Sequence, residues 1–360
     1  MPILQLQALA PADPPRLQAV KQRLPEPAAH EVQVRLIAAS VNPIDAKRAT
    51  GYGQRLLSLK KAGTFPLVLG NDLVGDIVAV GAQVQGLAVG QRVIGLRPTH
   101  GHGGTHASGF NLDAALLRPL PPGCDPVATS TLPYSYTTAR LALAGAGLNP
   151  AQAAGLQVMV HGASGALGQL AVRTLHAWGV EVTAICRGEH APLCLSLGAT
   201  SVVDRDQAGW RDVSARFDAT LNFASWDDER WLLQRLKHGA LGHASTVHPL
   251  LGHFDHFGWW RGAGQAWRAY RSHRALAQQV AGPACRYAWT VFRPDAQYLD
   301  ALLSELQQVP WALPLGLQVP LAQGQRAFEH VLAGRTGRAV LLGDAAATAF
   351  SETFFSGITP

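Results

Sequence analysis

The fold predicted for this chain rests on the stretch Val158-Met159-Val160-His161-Gly162-Ala163-Ser164-Gly165-Ala166-Leu167-Gly168. An apolar run typical of a β-strand ends at His161, glycines follow at 162, 165 and 168, and Gln169–Trp178 has the pattern of a helix. Glycine permits a positive φ and lets the backbone approach a pyrophosphate, which then lies against the start of the helix. Strand, turn and helix together predict the first unit of a dinucleotide-binding fold, with the residues from Gly162 to Gly168 as cofactor-binding residues. An ordinary glycine-rich turn is the alternative.

Length and composition narrow the class of protein. A chain of 360 residues predicts two domains, and 48% hydrophobic with 15% charged residues is typical of a globular protein. The four cysteines are scattered without a CxxC pair, which favours a reducing compartment over a disulfide framework or a zinc cluster. They are Cys124, Cys186, Cys194 and Cys285.

Charge and hydropathy exclude several partners at this stage. The net charge of +6 is not gathered into a basic run with interleaved aromatic residues, so no nucleic-acid partner is predicted. No apolar run is long enough to cross a bilayer, so stable membrane insertion is not expected. The first residues, Met1–Leu6, lack a basic segment followed by an apolar one, and we therefore expect no signal peptide and a cytoplasmic location.

The order of predicted elements places the nucleotide unit in the middle of the chain. A β-rich part precedes it, with strands expected at Glu31–Ser40, Asp72–Val80 and Arg92–Gly95, and the composition shifts at Pro119–Gly123. Strands and helices then alternate, which predicts an α/β fold with a doubly wound parallel sheet. The expected strands are Gln157–His161, Glu181–Cys186, Ser201–Asp204, Phe217–Asn222 and Ala240–Val247, and the helices include Leu167–Trp178 and Glu229–Lys237.

Further elements follow the nucleotide unit. They are two helices, Ala296–Gln307 and Ala322–Leu332, and the strand Arg338–Gly343. The simplest architecture inserts the nucleotide domain into another domain. We therefore predict a catalytic domain made of residues 1–125 and 293–360, and a Rossmann domain made of residues 126–292.

Several motifs resemble those of one superfamily. They are Ala39–Asp45, Phe65–Asp72, Val89–Val93, Thr50–Gly53 and Leu132–Tyr134. On these motifs the chain resembles the medium-chain dehydrogenase/reductase superfamily, its zinc-free quinone oxidoreductase branch, and within that branch the reticulon-4-interacting-protein type of NADPH oxidoreductases. The resemblance implies a GroES-like β-rich catalytic domain, a Rossmann domain, an active site in the cleft between them, and a homodimer formed through the edges of the Rossmann sheets.

The resemblance also predicts that there is no metal. In alcohol dehydrogenases of this superfamily the first two catalytic zinc ligands correspond to Asn42 and Asn71 here, which are not competent zinc ligands. The segment Leu96–Phe110, where a structural zinc lobe would follow, has no cysteine. Two groups of histidines are interpreted as loop residues, with a metal site as the alternative: His100, His102 and His106, and His243, His248, His253 and His256.

The cofactor is predicted to be NADPH. NAD-selective domains carry an acidic residue at the end of the second strand, and Arg187 stands near that place, where a cation favours a 2′-phosphate. Glu189 is a rival feature, because it could reach a ribose hydroxyl, and Arg187 could be a plain surface cation. Four further residues are assigned to the cofactor by the resemblance: His190, Arg205, Asn222 and Arg338.

The catalytic candidates are hydrogen-bond donors. Tyr52 could donate a proton or polarise a carbonyl. Asn42 and Lys47 are assigned as further catalytic residues, and Asn42 is also assigned to contact the nicotinamide. Alternatively, Tyr52 is only an aromatic wall and Asn42 only caps a turn. Thr138 is assigned to the cofactor, and the substrate is assigned to Tyr52, Asn71, Tyr134 and Trp289. The aromatic segment Phe254–Trp260 fits a small planar apolar acceptor, with core packing or a dimer interface as the alternatives.

The predicted function is therefore hydride transfer from NADPH to a quinone or an α,β-unsaturated carbonyl without zinc. One alternative is a catalytically weak NADPH-binding interaction protein of the same fold, which the unusual Asn222–Ser225 loop favours. A more distant alternative is an alcohol dehydrogenase.

Overall fold

The chain folds into two compact units, with one boundary after Tyr134 and the other after Phe292. The structure is a computed structural model that describes residues 1–100, 103–344 and 346. Unit 1 consists of the chain up to Tyr134 together with the chain from Arg293 onward, and unit 2 is Ser135–Phe292. Unit 2 is therefore an insertion between two parts of unit 1.

The described residues form sixteen strands and ten α-helices. The strands are β1 (Pro2–Ala8), β2 (Leu17–Arg23), β3 (Glu31–Val41), β4 (Leu67–Val68), β5 (Asp72–Val80), β6 (Arg92–Leu96), β7 (Gly109–Asp113), β8 (Leu117–Pro119), β9 (Gln157–His161), β10 (Glu181–Cys186), β11 (Ser201–Asp204), β12 (Ala219–Asn222), β13 (Gly242–Ser245), β14 (Arg286–Trp289), β15 (Leu315–Pro320) and β16 (Arg338–Leu342). The helices are α1 (Pro43–Ala49), α2 (Gln54–Ser58), α3 (Pro126–Thr129), α4 (Pro133–Gly145), α5 (Ala166–Ala177), α6 (Ala191–Ser196), α7 (Glu229–Leu233), α8 (Leu250–Ala281), α9 (Ala296–Gln308) and α10 (Gly324–Leu332).

Unit 2 contains a six-stranded sheet in the order β11-β10-β9-β12-β13-β14, and every neighbouring pair in it is parallel. This is the 3-2-1-4-5-6 order of the Rossmann fold, so the predicted doubly wound sheet is confirmed. Strand β9 is central and buried on both faces. Val158 and Val160 pack against Leu175 of α5, and Met159 packs on the other face with Ile185. The order reverses between β9 and β12, whose ends at His161 and Asn222 are paired.

Unit 1 is rich in β-structure, as predicted. Its larger sheet has the order β15-β16-β3-β5-β6-β8, with β7 also paired to β3, and its smaller sheet has the order β2-β1-β4. Strand β3 is the longest strand and pairs antiparallel with β16, β5 and β7. The last strand among the described residues, β16, thus lies beside residues that are some 300 positions earlier, Ala38–Val41.

The predicted element bounds differ from the observed ones mainly in unit 2. Strand β13 is Gly242–Ser245 and not Ala240–Val247, and α7 ends at Leu233 and not at Lys237. The 32-residue α8 was not predicted. Glycines at 252, 258, 262 and 264 interrupt its apolar pattern, and Gly258, with φ +75°, joins two helical segments at a kink. Among the described residues, no helix combines the length and apolarity needed to cross a membrane.

Candidate active site

The glycine turn of unit 2 has the geometry of an anion-binding site. Gly162 adopts φ +81°, a conformation that a side chain disfavours, and Gly165 is the residue that precedes α5. No side chain caps this helix. The N–H groups of the first helical turn have no acceptor within the helix, so they are available to an anion.

The third glycine of the turn is needed for packing. A Cβ atom at Gly168 would lie only 2.2 Å from the Gly162 carbonyl oxygen and 2.5 Å from the Ala163 Cα. Helix α5 therefore approaches the turn as closely as a glycine allows. Seven of the residues assigned to the cofactor by sequence belong to this turn and the start of α5: Gly162, Ala163, Ser164, Gly165, Ala166, Leu167 and Gly168.

A charged group follows β10. The Arg187 guanidinium lies with Nη1 3.0 Å from Glu189 Oε1 and with Nη2 3.3 Å from His190 Nε2. Arg187 and its assigned rival, Glu189, are thus partners in this structure. The side chain of Arg187 is about half exposed. Arg205, the first residue after the neighbouring β11, is about half exposed as well.

Asn222 organises the loop that departs from the family pattern. Its side-chain Nδ2 donates to the Ser225 carbonyl oxygen at 2.7 Å and to Glu229 Oε2 at 2.7 Å. Its Oδ1 accepts from the N–H groups of Ala224 and Ser225, both at 3.3 Å. The side chain is fully buried, and its hydrogen bonds shape the backbone of the Asn222–Ser225 loop.

Glu229 is the centre of a buried polar cluster that sequence reasoning missed. The Tyr287 hydroxyl donates to Glu229 Oε1 at 2.8 Å, and His243 Nε2 lies 3.1 Å from the same oxygen. The predicted substrate residue Trp289 donates from Nε1 to the Tyr287 hydroxyl at 2.8 Å. Burial raises the pKa of the Glu229 carboxyl, but His243 and the donated hydrogen bonds outweigh it and lower this pKa to about 2.

A second acidic group lies at the end of β9. Asp228 Oδ2 is 2.9 Å from His161 Nε2, and Asp228 Oδ1 accepts hydrogen bonds from Arg211. The His161 ring stacks on Trp210 with centroids 5.7 Å apart. Burial lowers the pKa of His161, although Asp228 acts in the opposite direction. His161 therefore supports the glycine turn from a buried position.

Unit 1 holds the predicted catalytic Asn42 in another buried cluster. The Arg338 Nη2 donates to Asn42 Oδ1 at 2.6 Å and to Ser40 Oγ at 2.9 Å. The Asn42 Nδ2 donates to Ser40 Oγ and to Asp72 Oδ2, each at 3.2 Å. Burial raises the pKa of Asp72 to about 6, even though Arg338, Ser40 and Asn42 all lower it. The Asn42 amide is thus fixed in orientation by charged neighbours.

Asp45 connects the start of α1 to the loop at Gly70. Its Oδ2 accepts from the Asn42 N–H at 2.8 Å, which closes the start of α1. Its Oδ1 accepts from the Gly70 N–H at 3.0 Å. One carboxylate therefore joins two of the motifs on which the family resemblance rests.

The remaining assigned residues of unit 1 lie around these motifs. Tyr52 is half-buried, and the Lys47 ammonium lies 5.8 Å from the centroid of its ring. Asn71 is buried and donates from Nδ2 to the Arg97 carbonyl oxygen at 2.8 Å. Tyr134 is half-buried and, with Asp45, acts electrostatically on Arg48. In unit 2, the assigned Thr138 is buried in α4.

The side chains at the two zinc-ligand positions, Asn42 and Asn71, already have hydrogen-bond partners in the protein. In the part of the chain that the structure describes, no three His, Cys, Asp or Glu side chains are grouped so that they could hold a metal ion. His102 lies outside the described residues. The interpretation of the second histidine group as loop residues is wrong for His253 and His256, which belong to α8, and for His243, which belongs to β13.

Comparison with known proteins agrees with this architecture. Residues 28–121 match the alcohol dehydrogenase GroES-like domain family. The chain is 30% identical over 284 residues to the human NAD(P)H oxidoreductase RTN4IP1, mitochondrial, which covers 75% of this chain and 71% of the human protein. It is also 30% identical over 215 residues to the chloroplastic quinone-oxidoreductase QR1 of Triphysaria versicolor, across 58% of this chain and 64% of that protein.

Solved structures share the fold. The quinone oxidoreductase from Coxiella burnetii superposes with a TM-score of 0.78 at 19% identity, over 95% of this chain and 99% of that one. The GroES-like domain and the Rossmann sheet define the class of two-domain nicotinamide-type dehydrogenase folds. The chain belongs to the medium-chain dehydrogenase/reductase superfamily, in the quinone-oxidoreductase-like group that includes the human relative.

Proposed function

We propose that this protein is a zinc-independent oxidoreductase that uses NADPH to reduce a quinone or an α,β-unsaturated carbonyl. The observation that carries the proposal is the uncapped start of α5 behind Gly162, at the point where the strand order of the parallel sheet reverses. The family membership and the names of the human and Triphysaria relatives support it.

The residues of the turn fit a dinucleotide. Backbone N–H groups at the start of α5 can donate to a pyrophosphate, and Gly162 leaves the space that a side chain would fill. We assign Thr138 to the same ligand, and Asn222 to shaping the loop beside it. When bound, the cofactor supplies a hydride. Arg338 is a further assigned contact, and its buried Nε has no hydrogen-bond partner among the described residues.

Arg187 favours NADPH over NADH in this proposal. It follows the second strand of the sheet, where NAD-selective proteins carry an acid, and Arg205 and His190 add donors nearby. The pairing of Arg187 with Glu189 at 3.0 Å means that a 2′-phosphate competes with a surface carboxylate for the guanidinium. An exposed ion pair is weak, so a phosphate that carries more charge can displace it.

Hydrogen-bond donors replace the metal. We assign Tyr52 as the donor to the acceptor oxygen, with Lys47 as the nearby cation. The Asn42 amide is held by Arg338 and Asp72, so it would meet a ligand in a fixed orientation, which is how preorganised donors stabilise developing charge. Tyr134, Asn71 and Trp289 are the other residues assigned to a small planar apolar substrate.

The family resemblance further leads us to propose a homodimer. Strand β14 is at an edge of the six-stranded sheet, where a second copy could pair with it. Light scattering on the purified protein measures this directly. The cytoplasmic location stays a prediction, since the relatives are named as mitochondrial and chloroplastic proteins.

Consumption of NADPH with a panel of quinones and enones tests the activity. We expect turnover that a metal chelator leaves unchanged, and loss of turnover on the good acceptors in Tyr52→Phe. Unchanged turnover of Tyr52→Phe on every acceptor would remove its role as proton donor. Tight NADPH binding without turnover on any acceptor would favour the interaction protein, and stoichiometric zinc would favour an alcohol dehydrogenase.

Arg187→Ala tests the choice of cofactor. A hydrogen bond to a charged group contributes about 1.5–3 kcal/mol, so we expect NADPH to bind about 10- to 100-fold more weakly, while NADH binding changes little. Arg230→Ala, which removes an exposed arginine of α7, is the matched control and should leave both cofactors unaffected. Equal weakening of NADPH and NADH by Arg187→Ala would contradict the assignment.

A further inference from the structure

Helix α8 exposes two tryptophans along one line. Trp260 is 91% exposed and Trp267 is 59% exposed. They are seven residues apart, about two helical turns, so both point to the same side of the helix. The Arg271 guanidinium lies over the Trp267 ring, 4.9 Å from its centroid, and belongs to the same side. We name the following set the tryptophan–arginine face: Trp260, Arg261, Trp267, Arg268, Arg271 and Arg274.

A different side of α8 fixes the helix to unit 2. Ala277 packs in the core with Leu233 and Leu236, and Gly262 and Ala266 are buried as well. The tryptophan–arginine face therefore points away from the core that holds the helix. Large aromatic side chains are costly to leave in water, and exposure of two of them on one line indicates a binding surface.

From Trp259 to the end of α8, the acidic and basic residues of the helix other than histidine are all arginines. Between His256 and Pro294 the chain contains six arginines and no aspartate or glutamate, and four of these arginines belong to the face. From the distribution of charge along the whole chain, no interleaving of basic and aromatic residues is predicted. That prediction is wrong for α8, because the two kinds of residue alternate along the chain here and share one side of the helix.

We propose that the tryptophan–arginine face binds the surface of a membrane that carries anionic lipids. Tryptophan has an apolar ring and a polar N–H, and such amphipathic side chains are typical of the headgroup region of a bilayer. Arginine is attracted to anionic headgroups. A helix of this kind lies in the plane of the interface and does not cross it. The proposal is independent of the acceptor that the enzyme reduces.

Two other occupants fit the face less well. A second copy bound through the same face would bring eight arginines together without a carboxylate between them. Single-stranded nucleic acid stacks its bases on open aromatic rings, but one face of the Trp267 ring is covered by Arg271. The arginine–tryptophan pair is compatible with a lipid headgroup, which needs no stacking surface.

Co-sedimentation with vesicles tests the proposal. We expect the full-length protein to bind vesicles of phosphatidylcholine with about a third phosphatidylserine, to bind pure phosphatidylcholine much more weakly, and to be released by high salt. Trp260→Ser with Trp267→Ser should abolish the blue shift of tryptophan fluorescence on binding. Arg268→Gln with Arg271→Gln should weaken binding about 30-fold, since each arginine contributes about a factor of five near an anionic surface.

The matched control removes two exposed arginines of unit 1, Arg16→Gln with Arg23→Gln, and should bind like the unmodified protein. Melting curves confirm that each variant is folded. Three results would overturn the proposal: equal binding to neutral and anionic vesicles, equal binding by the face variants and the control, or stronger binding to a single-stranded oligonucleotide that the vesicles fail to compete away. A monomer–dimer change caused only by the face variants would show that a second copy covers the face, and would also overturn it.

Discussion

Glu229→Gln tests whether the buried cluster of unit 2 stabilises the fold. Glutamine keeps the size of the side chain and an oxygen that can still accept from Tyr287, but it removes the negative charge beside His243. It also presents an NH2 group to neighbours that donate, such as the Asn222 amide. The substitution therefore removes the charge while nearly keeping the packing.

The size of the effect follows from the pKa of Glu229. The surroundings lower this pKa from 4.5 to about 2. Each tenfold change in an ionisation constant is worth about 1.4 kcal/mol, so the ionised carboxylate is stabilised by about 3 kcal/mol in the folded protein. We expect Glu229→Gln to lower the free energy of unfolding by up to about this amount near pH 5.

The pH dependence has a definite sign. Because the pKa is lower in the folded state, the contribution of Glu229 is fully present above its ordinary value of 4.5 and is lost as the pH falls through about 2. The difference between the protein and Glu229→Gln should therefore shrink as the pH falls from about 5 towards 2.

Urea denaturation, followed by tryptophan fluorescence and by circular dichroism, measures the difference. Two probes are needed because the chain has two units that need not unfold together. Glu181→Gln, an exposed glutamate of β10, is the control and should change the free energy of unfolding by less than about 0.5 kcal/mol. A loss of less than about 1 kcal/mol in Glu229→Gln would refute the reasoning from its pKa.

Two further predictions concern the turn and the cluster of unit 1. Gly168→Ala places a Cβ 2.2 Å from the Gly162 carbonyl oxygen, so α5 must move and NADPH should bind at least about 10-fold more weakly in a fluorescence titration. Gly264→Ala, where the added Cβ meets nothing within 4 Å, should bind NADPH normally. Burial raises the pKa of Asp72 from 3.8 to about 6, so its contribution to stability is present below about pH 4 and lost as the pH rises through 6. Between about pH 4 and pH 6 the free energy of unfolding of the protein should fall by up to about 3 kcal/mol relative to that of Asp72→Asn. If the difference between the two free energies does not change with pH, Asp72 titrates normally.

Much of unit 2 could be predicted because its signals are local. The strand before Gly162, the glycine spacing and the helix after it lie within about 20 residues, and the observed β9 and α5 agree with them to within a residue or so. Helix α8 could not be predicted in the same way. Its glycines and aromatic residues obscure the helical period, and its stability comes from packing against Leu233 and Leu236.

The contacts between the assigned site residues could not be predicted from the sequence either. Sequence placed Asn42, Arg338 and Asp72 in separate motifs, and only the pairing of β16 with β3 brings the guanidinium to the amide. Arg187 and Glu189 were rivals for one role by sequence, whereas the structure pairs them. Contacts of this kind depend on side-chain directions that spacing along the chain does not specify.

Three features can be read from the sequence alone: the glycine-rich strand–turn–helix unit, its position in the middle of the chain, and the amides Asn42 and Asn71. These features are set by a few adjacent residues, because turn glycines and strand periodicity act over short distances. Folding is required to bring Glu229 to its partners, to place charged neighbours around Asn42, and to leave one side of α8 exposed. These depend on strand order and packing, which join residues that are far apart in the chain.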